Sequence, residues 1–346
     1  MSQHDLGGLG WTPQLAEHLE PHQAPARVVA QHRGQLVVRT GHGDLRVRLP
    51  GRFRHEGVDV AVGDWVAIAD DSVVQAVLPR RSAIVRNAAG LATEAQVLAA
   101  NVDLAFVVTS LGPDLEPRRL ERYLVSIWES GAAPEIVLTK ADRMDDPWGL
   151  VAAVEAVALG VPVHVVSGLT GRGCNALRAR IQPGTTAVLV GSSGVGKSTL
   201  INRWAGQEVM ATKETRDDDD EGRHTTTHRQ LLALPGGGCV IDTPGLRELQ
   251  LWDVGEAAVE GAFSDVEELA ADCRFGDCSH TNEPGCAVQA ALESGALPWA
   301  RFESWRKLQR ELRAIAIRHD ARLRREERKR WHQVTREART RARLRP

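Results

Sequence analysis

The chain has 346 residues, of which 42% are hydrophobic and 25% charged, and its formal net charge is −2. This length exceeds that of one typical domain and predicts two or three, while the composition is that of a folded globular protein and excludes a disordered or fibrous one. The chain has no run of 18 apolar residues and no basic start followed by an apolar stretch, so we expect neither a transmembrane helix nor a signal peptide.

Two patterns organise the N-terminal part of the chain. Residues 1–24 are mixed in character and interrupted by proline, so we expect a flexible segment there. Residues 25–82 contain short runs that alternate apolar with basic or polar residues, such as Leu36–Arg39 and Leu45–Leu49, with a turn of glycine and aspartate between these two. Several short strands in so few residues predict a small barrel of the oligonucleotide-binding (OB) fold.

Apolar strands alternate with helices in residues 83–250. The run Val102–Val108 precedes an amphipathic helix that opens at Pro117, and the strand Ala187–Val190 belongs to the same alternation. This order predicts an α/β domain, in which helices cover both faces of a parallel sheet.

A phosphate-binding loop follows the strand Ala187–Val190 and opens a helix, which is the context that such a loop requires. Its glycines let backbone N–H groups surround the phosphates, and the helix N-terminus adds a favourable dipole. We expect Lys197 to pair with the β- and γ-phosphates and Ser198 to ligate Mg²⁺. The predicted phosphate site comprises Gly191, Ser192, Ser193, Gly194, Val195, Gly196, Lys197, Ser198 and Thr199.

A second motif, Asp-Thr-Pro-Gly at 242–245, follows the apolar strand Cys239–Ile241. Alone, Asp-x-x-Gly is a weak signal, but its position one hairpin after a phosphate loop makes it informative. We expect Asp242 to hold Mg²⁺ through a water molecule and the Gly245 N–H group to meet the γ-phosphate.

A guanine-reading motif, Thr-Lys-Ala-Asp at 139–142, follows another apolar strand. A carboxylate accepts two hydrogen bonds from guanine N1 and N2, which adenine cannot donate, so Asp142 predicts guanine selectivity. Thr139 stands where this motif usually has Asn, Lys140 completes the motif, and Ser167 opens a candidate base-backing loop. The motif precedes the phosphate loop by 49 positions, whereas in an ordinary GTPase it follows.

The segment 212–228, between the phosphate loop and Asp242, predicts a switch that senses the γ-phosphate. Its acidic run at 217–221 cannot pack and is expected to be mobile. We expect Thr225 to ligate Mg²⁺, with Thr226 as the alternative.

The catalytic group is less obvious from the sequence. Many GTPases place a glutamine directly after Asp-x-x-Gly to orient the attacking water, and this chain has Leu246 there. His224 is the candidate replacement, because a neutral imidazole can position water or accept a proton near neutral pH. The alternative is a purely structural histidine.

A cysteine cluster lies in residues 251–300, which otherwise have a helical pattern. Three thiols and one imidazole within 14 residues predict one structural Zn²⁺, since zinc prefers four such ligands in a tetrahedron. Ordinary core cysteines are the alternative. The predicted zinc ligands are Cys273, Cys278, His280 and Cys286, and the five cysteines as a whole indicate a reducing compartment.

The basic residues are concentrated at the C-terminus. Residues 301–346, predicted to form a helical tail, hold 17 Lys and Arg against 6 Asp and Glu. Together with the arginines of the predicted barrel, this favours binding to the phosphates of a folded RNA. A solvated basic helix is the alternative for the tail alone.

Six features follow one another along the chain: a barrel, Thr-Lys-x-Asp, Gly-x4-Gly-Lys-Ser-Thr, Gly-Arg-His-Thr-Thr-Thr, Asp-Thr-Pro-Gly and Cys-x4-Cys-x-His-x5-Cys. In this succession of motifs the chain resembles the ribosome small-subunit-dependent GTPase A family, whose members are circularly permuted bacterial GTPases. The resemblance covers about residues 25–300. The acidic insert at 217–221 and the Arg-rich tail are not part of it.

The resemblance implies a cytoplasmic, Mg²⁺- and Zn²⁺-containing GTP hydrolase that binds the 30S ribosomal subunit and its 16S rRNA. It also implies stimulation by that subunit, a role late in its maturation and a catalytic His224. We expect a monomer with no membrane association. The residues alone leave two rivals, an ATP-using P-loop enzyme and an RNA-binding scaffold whose nucleotide site is largely structural.

Overall fold

The computed structural model describes residues 6–32, 35–69, 72–87, 95–112, 115–210, 229–242, 256–281 and 283–319. The chain divides into two compact units, Met1–Gln250 and Leu251–Pro346. Several predicted features therefore lie outside the described residues: the acidic run, His224, Thr225, Thr226, Gly245, Leu246 and the tail beyond residue 319.

The first unit contains both strands and helices. Its strands are β1 (Ala24–His32), β2 (Gln35–Thr40), β3 (Gly43–Val47), β4 (Trp65–Ile68), β5 (Val74–Val77), β6 (Ala83–Asn87), β7 (Ala95–Ala100), β8 (Leu104–Ser110), β9 (Ala133–Thr139), β10 (Val163–Val165), β11 (Thr186–Val190), β12 (Gln230–Ala233) and β13 (Cys239–Asp242). Its α-helices are α1 (Pro13–Ala16), α2 (Gly51–His55), α3 (Pro117–Glu129), α4 (Trp148–Glu155), α5 (Cys174–Arg178) and α6 (Lys197–Ala205).

The predicted parallel sheet is confirmed. Strands β10, β9, β8, β11 and β13 lie side by side in that order and all run parallel. Ser110 pairs with Thr139 across β8 and β9, and Val188 pairs with Ile241 across β11 and β13. The carboxyl ends of parallel strands meet at one edge of the sheet, so the three nucleotide motifs start from the same edge, called the carboxyl edge below.

Alternate residues of the sheet pack on opposite faces, as period-two geometry requires. On one face, Val107 belongs to the hydrophobic core that also contains Leu120 of α3 and Val151 of α4. On the other face, Phe106 packs in a second core with residues of α5 and α6, among them Leu200. Both faces are therefore covered, which explains why these strands read as nearly continuous apolar runs.

The N-terminal strands are antiparallel. Strand β1 pairs with β2 and with β4, β2 pairs with β3, and β4 pairs with β5. A parallel bridge between Arg48 and Val73 joins the end of β3 to the start of β5. The pairing circuit therefore closes on itself, with α2 between β3 and β4.

Strand β12 joins this circuit to the parallel sheet. The sequence predicts a hairpin that ends at Asp242, but no local pattern indicates that the first strand of this hairpin also pairs with β1. Gln230 pairs with Ala30 of β1 on one side and with Asp242 of β13 on the other. The short, half-buried strand has only Leu231 fully in the core. One continuous sheet of 11 strands results.

A buried arginine ties three segments of the first unit together. Arg27 donates to the carbonyl oxygens of Leu9, Gly63 (3.3 Å) and Asn101 (3.2 Å), and its guanidinium lies 5.4 Å from the Trp65 ring centroid. Desolvation lowers its pKa to about 10, so it stays charged at neutral pH.

The N-terminal segment differs from its sequence-based prediction in the part that the structure describes. A 3₁₀ turn at Gly7–Leu9 is followed by α1, and the side chains of Leu9 and Leu15 are buried. The segment is held because its backbone satisfies a buried charge at Arg27, a long-range contact that no local pattern reveals.

The second unit holds three described helices, α7 (Glu256–Ala271), α8 (Ala287–Ser294) and α9 (Trp299–His319). Helix α7 is interrupted at Phe263, whose φ of −132° and ψ of 37° are not helical. Buried Arg301 of α9 donates to the Ala262 carbonyl at 2.7 Å and pairs with both carboxylate oxygens of Asp265. The buried charge is thus fully paired between α9 and α7.

Among the described helices, none is both long enough and apolar enough to cross a lipid bilayer.

Candidate functional site

The phosphate loop runs from β11 into α6 at the carboxyl edge. Gly191 has a φ of 144°, and a Cβ there would lie 2.0 Å from the Val108 carbonyl oxygen, so only glycine fits. Gly196 is the N-cap of α6 and provides no side-chain cap, which leaves the first N–H groups of the helix for an anion. Lys197 Nζ donates to the Gly191 and Ser192 carbonyl oxygens, at 2.7 Å each, and so lies over the loop.

Asp242 ends the strand next to the phosphate loop. Burial raises the pKa of its half-buried carboxyl group, and the positive charge of Lys197 opposes that shift. The two groups therefore interact electrostatically, although 45 positions separate them in the sequence. A half-buried carboxylate beside a phosphate loop offers a hard oxygen ligand of the kind Mg²⁺ takes, so the donor chemistry fits that ion.

Thr139 connects the guanine motif to the phosphate loop. Its hydroxyl lies 2.5 Å from the Val195 carbonyl oxygen and 3.2 Å from that of Thr109. The single hydroxyl proton favours the nearer acceptor, which belongs to the phosphate loop. Lys140 then takes a left-handed φ of 59° and turns the chain into the 3₁₀ turn Ala141–Arg143, which carries Asp142.

Asp142 has an exposed carboxylate, and a hydrogen bond from the buried Ser167 side chain orients it. The buried hydroxyl of Ser167 donates to Asp142 Oδ1 and accepts from the Thr170 N–H group at 3.1 Å. The hydrogen bond from Ser167 lowers the pKa of Asp142 below its ordinary value, so the carboxylate stays ionised at neutral pH. An ionised acceptor is what the N1 and N2 donors of guanine require.

Sequence reasoning missed the residues that support the loop 167–171, which begins at Ser167. From α6, Arg203 Nη1 donates to the Gly168 carbonyl at 3.2 Å, and from the start of α5 the Cys174 thiol donates to the Ser167 carbonyl at 3.3 Å. The spacing of Thr199 and Arg203, four residues apart on one helix, would have placed both on one face but gives no hint of what that face touches.

The four predicted zinc ligands lie together in the second unit. Their ligand atoms all fall within 4.8 Å of one another. His280 Nδ1 is 3.5 Å from the Sγ atoms of Cys273 and Cys286, which are themselves 3.8 Å apart. Tetrahedral Zn²⁺ with bonds of about 2.3 Å to sulfur and 2.0–2.1 Å to nitrogen places its ligands about 3.5–3.8 Å apart, so the cluster is consistent with zinc.

Local contacts position these ligands. Cys286 is the N-cap of α8, and its sulfur accepts a hydrogen bond from the Gln289 N–H group at 3.4 Å. Burial lowers the pKa of His280, which keeps its imidazole neutral. Cys278 completes the group from the intervening loop.

The described residues thus form two sites. Thr139, Asp142, Ser167, Lys197 and Asp242 all belong to the carboxyl edge of the first unit. The Cys₃His cluster lies in the second.

Three comparisons with known proteins agree on the family. The RsgA GTPase family model matches residues 77–252, which is about half of the chain. The small ribosomal subunit biogenesis GTPase RsgA of Streptomyces avermitilis is 49% identical over 341 residues, covering 95% of this chain and 92% of that protein. Its counterpart in Opitutus terrae is 45% identical and covers 98% of each chain.

Two solved structures share the fold. The crystal structure of YjeQ from Thermotoga maritima has a TM-score of 0.62 and 28% identity, covering 84% of this chain and 98% of that one. YloQ, described as a circularly permuted GTPase, has a TM-score of 0.60 and 25% identity, covering 86% and 97%. The chain is therefore a GTP hydrolase with a circularly permuted GTPase fold, and it belongs to the RsgA family of small ribosomal subunit biogenesis GTPases.

Proposed function

We propose that this GTPase binds and hydrolyses one Mg²⁺-bound GTP at the carboxyl edge, in response to the 30S ribosomal subunit during its late maturation. The observation that carries the proposal is the hydrogen bond from Thr139 to the Val195 carbonyl. It joins the guanine motif to the phosphate loop, so two motifs in reversed sequence order serve one nucleotide.

The phosphate end of the site is assigned to the loop 191–199. Lys197 would leave the carbonyls of the loop and pair with the β- and γ-phosphates, while N–H groups of the loop donate to the same oxygens. Ser198 and Asp242 would hold Mg²⁺, with Thr225 as a further ligand. The ion supplies positive charge that stabilises the transferred phosphoryl group.

The base end is assigned to the residues around Asp142. Its carboxylate would accept from guanine N1 and N2, and Ser167 keeps that carboxylate oriented and ionised. Thr139 fixes the motif to the phosphate loop in the place of the usual Asn, and Lys140 would lie beside the base.

Three assignments concern residues outside the described ranges and rest on the sequence. Thr225, with Thr226 as the alternative, would ligate Mg²⁺. His224 would orient the attacking water, since Leu246 cannot. The N–H group of Gly245 would sense the γ-phosphate.

We assign one structural Zn²⁺ to Cys273, Cys278, His280 and Cys286. Four protein ligands would leave no position for water or substrate, which is typical of a structural rather than a catalytic zinc site. The distances among the ligand atoms support this assignment.

The proposed domains keep the boundaries predicted from the sequence. They are an OB barrel at 25–82 with 1–24 as its N-terminal extension, the GTPase domain at 83–250, the zinc domain at 251–300 and the basic tail at 301–346. The closed pairing of β1 to β5, with a parallel contact between the ends of β3 and β5, supports the OB assignment.

The proposed partner is the 30S subunit, contacted through 16S rRNA. The relatives are named for small ribosomal subunit biogenesis, and exposed arginines such as Arg46 and Arg48 on the barrel provide charge for phosphate contacts. We propose that the protein acts as a cytoplasmic monomer without membrane contact.

The decisive experiment measures phosphate release from GTP with and without purified 30S subunits. Unaided turnover by P-loop GTPases can be as slow as ~10⁻⁴ per second, and we expect 30S subunits to raise the rate well above that of the protein alone. Lys197→Ala is the control for contaminating activity, and 50S subunits are the control for nonspecific RNA. Equal rates with and without 30S subunits, or stimulation that survives Lys197→Ala, would overturn the proposal.

A further inference from the structure

We propose that Arg203 is a positioning residue for guanine recognition, which it serves by holding the loop 167–171 against helix α6. The inference rests on the proposed guanine site, and it adds to that site a residue that does not touch the nucleotide.

The guanidinium of Arg203 lies directly on the loop. Nη1 donates to the Gly168 carbonyl at 3.2 Å. Gly171 has a φ of +85°, and a Cβ on it would lie 2.0 Å from Arg203 Nη2 and 2.7 Å from Cζ. Glycine at 171 therefore leaves the space that the guanidinium fills.

The same loop contacts α6 at a second residue, Thr199, which lies one helical turn before Arg203. A Cβ on Gly168 would lie 2.9 Å from Thr199 Cγ2, so the backbone of the loop packs on that side chain. Thr199 and Arg203 are four residues apart and share one face of α6. The helix that opens the phosphate site is thus also the support of the loop.

Hydrogen bonds connect the loop to the carboxylate of Asp142. It is closed by the Gly171 N–H group donating to the Ser167 carbonyl at 2.9 Å and by the Thr170 N–H group donating to Ser167 Oγ at 3.1 Å. Ser167 Oγ in turn donates to Asp142. Arg203 therefore fixes the position from which Ser167 orients Asp142.

A residue that acts in this way affects all bound states of guanine nucleotides equally. Its loss should weaken GDP and GTP binding and raise KM, while kcat stays unchanged, because uniform binding does not enter the chemical step. Because the hydrogen bonds of the loop lead to the Asp142 carboxylate, the effect of Arg203 should also depend on Asp142.

The test is a double-mutant cycle on GDP affinity, measured by isothermal titration with the full chain. Arg203→Ala should weaken GDP binding about three- to tenfold, the range expected for one hydrogen bond. In the Asp142→Ala background the same change should cost nothing further. Arg203→Lys, which keeps one donor for the Gly168 carbonyl, should restore part of the affinity.

Arg172→Ala is the matched control, because it removes another exposed arginine, directly after the loop 167–171 in the sequence. Unchanged GDP affinity in Arg203→Ala, or a loss that adds fully to that of Asp142→Ala, would overturn the role of Arg203 and leave the proposed guanine site intact. Unchanged affinity in Asp142→Ala would instead overturn the guanine site itself, and this inference with it.

Discussion

Asp242 is a residue at which the demands of stability and of function oppose each other. Burial raises the pKa of its carboxyl group, and Lys197 offsets only part of the effect. Since the pKa in the folded chain exceeds that in the unfolded chain, the group favours folding below its unfolded pKa, and this contribution is lost as the pH rises through the folded pKa. The ionised form of this carboxyl group is the form that burial disfavours and that a divalent cation would stabilise.

We predict that Asp242→Asn makes the nucleotide-free protein at least as resistant to heat as the unmodified chain near neutral pH, with the difference shrinking as the pH falls. The same variant should lose the rise in melting temperature that Mg²⁺ and GTP together produce. Thermal melts with and without Mg²⁺–GTP across a pH series measure both effects. Glu208→Gln, at an exposed position, is the control. A less stable variant that still responds fully to Mg²⁺–GTP would contradict this reading of Asp242.

At the scale of elements, the Cys₃His cluster organises the helices of the second unit. Cys286 caps α8, and the ring of His280 lies 5.5 Å from that of Trp305 on α9. Trp305 Nε1 also donates to Glu267 of α7 at 2.8 Å. A metal that fixes the ligands would therefore hold all three helices in register, including the first turns of the basic tail.

We predict that removing zinc with a chelator lowers the helical content of the second unit and changes the emission of Trp305, because a structural zinc site contributes directly to folding. Far-UV circular dichroism and tryptophan fluorescence of nucleotide-free protein measure these changes. Trp305→Phe should abolish most of the emission change, and Cys273→Ser should resemble the chelated protein before any chelator is added. A chelator that alters neither signal would show that the helices do not depend on a metal.

At the scale of the whole molecule, the sequence predicts most of what is local. Each nucleotide motif follows an apolar strand, and strands that alternate with helices form a parallel sheet whose ends share an edge. That reasoning locates Asp142, Lys197 and Asp242 on one edge without any knowledge of strand order. The zinc ligands could be predicted from the sequence equally well, because all four lie within one short segment.

The contacts between distant segments could not be predicted. Strand β12 is short and pairs with β1 and β13, two strands far from each other in sequence, so no periodic pattern marks it. Arg27 looks like one more basic residue of the barrel until the carbonyl groups around it are known. Arg203 is similar, because its partners are backbone atoms of a loop and backbone atoms leave no signature in sequence.

We propose that a carboxylate preceding the phosphate loop by 49 positions recognises the base of the nucleotide bound there. Xanthine carries a carbonyl where guanine carries the N2 amino group, so the amide of Asp142→Asn can donate where the carboxylate could only accept. Titration of the original chain and of Asp142→Asn with GDP and with xanthosine diphosphate measures this base selectivity. Asp142→Asn should lose affinity for GDP and gain affinity for xanthosine diphosphate, and an unchanged preference for GDP would show that Asp142 does not recognise the base.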